Sequence, residues 1–155
     1  MGKYYGFGVV IKDDAITKDK SDIFSIISKA PKFGKACLNA LAKHMEKGYS
    51  VSEMDVSNLI DYLTNGASAG ILCDYPCCGL ASILQMVIDE VEGLNMTAQC
   101  DEDTGENLLV MVPELPWCFS EKEKEYTPEC VKTALRKYLD AVIVQPFDIG
   151  EIEWS

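Results

Sequence analysis

The stretch that most narrows the fold runs from Asp74 through Pro76 and Gly79 into Leu80–Glu92 and stops at Gly93. Leu80, Ile83, Leu84, Val87, Ile88 and Val91 recur at three- and four-residue spacing, which gathers them on one face of an α-helix that must be buried. Pro76 stands where a first helical turn tolerates a missing N–H, and Gly93 supplies a left-handed stop. Leu94 is placed to fold back on Ile88. Asp89, Glu90 and Glu92 close this helix beside the negative end of its dipole, where each exposed carboxylate costs about 0.3–1 kcal/mol. An arrangement that costs local stability calls for a compensating cation, elsewhere in the fold or on a partner.

The flanking segments set the fold class. Lys3–Lys12 alternates Tyr5, Phe7, Val9 and Ile11 against Tyr4, Gly6, Gly8 and Val10 and reads as a strand. Gly6-Phe7-Gly8 is no phosphate loop, because no third glycine and no helix follow; close backbone packing or a bulge accounts for it. Ser21–Ala30 and Phe33–Lys47 read as helices separated at Pro31. The second is expected to bury Phe33, Cys37, Leu38, Leu41 and Met45, with Lys32, Lys35, Lys43 and Lys47 on the opposite side. That lysine face is either solvated or meets acids, in this chain or in a second copy. Ser50-Val51-Ser52-Glu53 offers a capping box to a helix through Val56, Leu59, Ile60 and Leu63.

Beyond Gly93, Asn95–Cys100 and Asn107–Val112 predict a hairpin whose tip carries Asp101, Glu102, Asp103 and Glu106. Thr127-Pro128-Glu129 opens a last helix through Val131, Ala134, Leu135, Tyr138 and Leu139. Ala141–Gln145 is β-prone and expected to rejoin the sheet, and the tail mixes Phe147, Ile149, Ile152 and Trp154 with Asp148, Glu151 and Glu153. The expectation is one α+β domain over residues 1–155, several helices on a small, mostly antiparallel sheet. Helix, helix, hairpin is also the order of a winged helix. Here the reading helix and the wing would both be acidic, so a winged architecture would serve protein contact.

Charge excludes one class of partner. The net charge is −11 and Arg136 is the sole arginine; residues 1–50 hold nine lysines against five acids, and residues 51–155 five bases against twenty acids. Nucleic-acid binders show a basic footprint with arginines that fork onto phosphates and guanine edges. Direct nucleic-acid binding is therefore not expected. No apolar run reaches the ~20 residues that cross a bilayer. The opening residues carry neither a signal-peptide pattern nor, with Gly6 in place of Ser or Thr, a myristoylation pattern. A cytoplasmic location is the expectation, and with it free thiols for most of the seven cysteines rather than a disulfide framework.

Catalytic signals are sparse. Cys77 and Cys78, with Cys73 nearby, gain thiolate character if they sit at the central helix N-terminus. The single histidine, His44, falls near the apolar side of its own helix and nothing ties it to them. Cys73 and Cys77 have zinc-ligand spacing, yet Cys100, Cys118 and Cys130 form no second pair. Asp101-Glu102-Asp103-Thr104-Gly105 lacks the final bidentate glutamate of a calcium loop. No nucleotide-binding, hydrolase-elbow or zinc-protease motif occurs. No metal and no cofactor are expected, and the chain reads as non-enzymatic; a thiol- or metal-dependent enzyme using Cys77 or Cys78 is the alternative.

Around Leu115-Pro116-Trp117, Ser120-Glu121-Lys122-Glu123-Lys124 and Thr127-Pro128-Glu129 the chain resembles small proteins encoded by phages and prophages of Gram-positive bacteria. The resemblance implies no residue roles; acidic inhibitors of host defence, anti-CRISPR-like proteins among them, are one calling of such proteins. The functional expectation is a cytoplasmic interaction protein whose Asp89, Glu90, Glu92, Asp101, Glu102, Asp103 and Glu106 engage a basic groove of a protein partner, such as a nucleic-acid-binding protein or nuclease. Dense carboxylates imitate a phosphate row because both offer closely spaced anionic oxygens to Lys and Arg. Against it stands the reading in which acidity serves solubility alone.

Overall fold

A computed structural model describes residues 4–11, 19–64, 79–111, 128–144 and 146–154. In chain order these form β1 (Tyr4–Ile11), α1 (Lys20–Ile27), α2 (Pro31–Glu46), α3 (Val56–Thr64), α4 (Leu80–Glu92), β2 (Thr97–Cys100), β3 (Asn107–Met111), α5 (Pro128–Val142) and β4 (Gly150–Trp154). The fold is α+β. The strands are antiparallel throughout, in the order β2-β3-β1-β4. The hairpin β2–β3 is thus half of a sheet and not a free-standing wing.

Strand periodicity divides the sheet into two faces. Phe7, Val9, Ile11, Leu109 and Met111 belong to the main core, in which α1, α3, α4 and α5 bury Ile26, Leu59, Leu84 and Tyr138. Leu108, Val110 and Trp154 make a second buried cluster with Val10 and Ile152. Trp154 lies over Gly6, whose missing Cβ would stand 3.2 Å from the indole ring. At Gly8 the approach is closer: a Cβ would fall 2.0 Å from the Leu109 carbonyl oxygen and 2.7 Å from the Val110 Cα. These glycines let neighbouring backbone and the indole come in.

The central helix has the boundaries its periodicity predicts, but Val91, expected on the buried face, is 39% exposed in its last turn. Gly93 ends α4 at φ 68°, its N–H donating to the Asp89 carbonyl, and the entry around Pro76 lies outside the described residues. Elsewhere the structure departs from the expectation in three places. The Ser50 box closes only a 3-10 turn over Val51–Glu53, and α3 starts later with Asp55 accepting from the Asn58 N–H at 2.7 Å. Leu38 and Met45 are 63% and 52% exposed, so the buried side of α2 is Phe33, Gly34, Cys37, Ala40 and Leu41. Residues 141–144 form no strand beyond an isolated bridge at Ile143: α5 runs through to Val142, which prolongs the buried spacing of Leu135, Tyr138 and Leu139, and the tail supplies β4. No helix among the described residues is long and apolar enough to cross a membrane.

Candidate functional site

The carboxylates singled out by the sequence fall into two groups with different surroundings. Those at the end of α4 are tied into the chain. Asp89 accepts from the Met96 N–H at 3.0 Å and from Gln85, one helical turn back. Gln85 in turn accepts from the Ala98 N–H at 2.9 Å. Residues four apart share a helix face, so the pair grips two alternate N–H groups at the outer margin of β2. Burial raises the Asp89 pKa to about 6, with the two hydrogen bonds opposing the shift.

Glu90 reaches another element. Its two oxygens accept from the N–H groups of Lys32 and Phe33, both at 3.0 Å. These are orphan donors of the first turn of α2, whose own N-cap position, Ala30, has no side chain able to satisfy them. Glu92 accepts from the Tyr138 hydroxyl at 2.6 Å and from the Lys137 ammonium at 3.2 Å. Burial, then the Glu92 hydrogen bond and charge, hold the Tyr138 hydroxyl above its ordinary pKa. The compensation that these acids call for is therefore met inside the chain: one helix N-terminus, one lysine and the N–H groups beside β2.

The hairpin acids are arranged differently. Asp101 accepts from the N–H groups of Asp103 and Thr104 at 2.9 and 3.4 Å, and its own N–H donates to the Glu106 carbonyl at 2.8 Å. Gly105, at φ 74°, completes the turn. This closure leaves Glu102 and Asp103 exposed at the tip, and neither forms an ion pair among the described residues. Glu106 turns toward the tail. There it lines a cleft of about 410 Å³ with Asp148 and Glu151, together with Val10, Phe147 and Ile152. No basic side chain lines this cleft among the described residues. Asp148 and Glu151 are acids that sequence reasoning noted in the tail without joining them to the hairpin; only the pairing of β4 with β1 brings them there.

The thiols on which the catalytic alternative rests are not among the described residues. Cys73, Cys77, Cys78 and Cys118 lie outside them. Cys37 and Cys100 are free thiols, and burial pushes the Cys37 thiol up to about 12. His44 is stacked on Tyr49 at 4.8 Å and tilted against Tyr62 at 4.4 Å between ring centroids. No group of His, Cys, Asp or Glu able to hold a metal ion occurs among the described residues. Set against protein families, curated proteins and solved structures, the chain matches none.

Proposed function

We propose that the chain is a non-enzymatic interaction protein that binds a basic protein partner through its hairpin tip and the adjoining cleft. The observation that carries this reading is the cleft itself, which Glu106, Asp148 and Glu151 line together with Val10, Phe147 and Ile152. Lys and Arg side chains suit such a groove, because their hydrocarbon stems cover apolar surface while the charged heads meet carboxylates. Glu102 and Asp103 extend the same negative potential outward along the hairpin. A partner that normally grips phosphates would meet here a row of anionic oxygens, which supports inhibition of a nucleic-acid-binding protein or nuclease, in the manner of phage counter-defence proteins, as the biological role. Of the α4 carboxylates, Asp89 contributes to this reading by holding β2, and hence the hairpin, on the core.

The test uses two charge-reversed variants, Glu102→Lys/Asp103→Lys at the tip and Asp148→Lys/Glu151→Lys at the cleft. All four side chains are exposed, so folding should survive. A partner retained by the parent chain from a host-cell lysate at low salt should be released as salt rises, and each variant should hold it roughly tenfold or more weakly. Parent-like retention by both folded variants, indifferent to salt, would leave acidity with a solubilising role only.

A further inference from the structure

Among the described residues, the exposed side of α2 carries large apolar side chains that neither the core nor the acidic cleft uses. Leu38, Met45 and Tyr49 are 63%, 52% and 58% exposed. At 100° per residue Leu38, Ala42 and Met45 fall within about 60° of one another on the helix circumference. Tyr49, just past the end of the helix, turns away from this stripe and stacks on His44. Lys35 and Glu46 lie together on one flank of it, about 60–80° from Leu38. Both are exposed, and neither is ion-paired among the described residues.

We infer that this face of α2 joins two copies of the chain, helix against antiparallel helix across a two-fold axis near Ala42. The stripe is self-complementary in that arrangement. An axis between positions 41 and 42 sets Leu38 of each copy against Met45 of the other, with the small Ala42 at the crossing. A two-fold rotation brings each flank against its own counterpart. Lys35 then stands within about two residues, roughly 3 Å of helix rise, of Glu46 in the second copy, and the pair is made twice. Lys32, Lys43 and Lys47 sit farther round the helix and splay away from the contact. The surface is small beside the ~800 Å² per partner of a standard interface, so the dimer belongs in the micromolar-to-millimolar range.

Sedimentation equilibrium from low micromolar to near-millimolar protein tests the inference directly. The apparent mass should rise from that of the 17.1 kDa chain toward twice that value. Leu38→Glu/Met45→Glu should stay monomeric at every concentration with an unchanged melting profile, since both side chains are already exposed. Lys35→Glu or Glu46→Lys alone replaces two attractions with two repulsions and should weaken association roughly tenfold. Combining them should restore it. A single 17.1 kDa species throughout, a dimer that survives Leu38→Glu/Met45→Glu, or one indifferent to both single reversals overturns the proposal. Should the glutamate pair disturb folding, the charge-exchange variants still decide it. The measurement needs no outside partner, so its outcome is independent of what the acidic cleft binds.

Discussion

Asp89 shows how one side chain makes stability depend on pH. Its pKa is about 6 in the folded chain against an ordinary 3.8, so between those values the folded state holds a proton that the unfolded state releases. The stabilisation is complete below about pH 4 and is lost as pH rises through about 6. The carboxyl is partly open to water, so screening reduces the effect to the order of 1 kcal/mol. Asp89→Asn removes the ionisation and keeps a carbonyl for the Met96 N–H. Urea unfolding at intervals from pH 4 to pH 7 should show a decline in the parent that the variant lacks. Identical profiles would mean that Asp89 is not desolvated. The sequence shows that Asp89, Glu90 and Glu92 oppose the dipole of their own helix, and it shows that something must answer them. It does not show what, because Glu90 meets backbone groups 57 and 58 positions away. Only packing brings those together.

Among elements, helix boundaries and faces are legible where a strong 3.6-residue period and a stop glycine agree, as in Leu80–Gly93. They mislead where apolar residues are taken as buried by type alone. Leu38 and Met45 fit a helical period, yet the core side of α2 is filled by the smaller Gly34, Cys37 and Ala40, which admit close neighbours; Gly34 stands 3.1 Å, measured from its missing Cβ, from the Ile27 carbonyl. The sequence shows the tail only as a mixture of apolar and acidic residues; its becoming a strand beside β1 depends on a pairing across the whole chain. The most informative perturbation at this scale is the joint between α4 and α2. Glu90→Ala leaves two first-turn N–H groups of α2 without their acceptor and should lower stability by about 1–2 kcal/mol. Glu90→Gln, which retains one carbonyl oxygen, should cost less. Thermal melts of the two variants decide the matter: an alanine variant as stable as the parent would show that water satisfies those donors equally well.

The whole molecule is a charged body in which internal and external demands on acidity are separated in space. Carboxylates at the end of α4 hold elements together, while those at the hairpin and tail face solvent around a cleft. This separation yields opposite responses to one variable. A net charge of −11 on a small fold is self-repulsive, and most of the contributing acids are exposed. Raising sodium chloride from low to physiological strength shortens the screening length to about 8 Å, which weakens repulsion among surface acids far more than the short contacts of Glu90 and Glu92. The free chain should therefore become more resistant to heat as salt increases, by a few degrees. Affinity for a basic partner should fall over the same range, because the attraction that steers the complex is screened as well. Glu102→Lys/Asp103→Lys, which lowers the net negative charge, should mute both trends together. Melting temperatures and partner retention measured on parent and variant across one salt series check this. If heat resistance falls with salt, internal ion pairs outweigh surface repulsion, and the exposed acids are not the strained reserve of charge that the binding proposal requires.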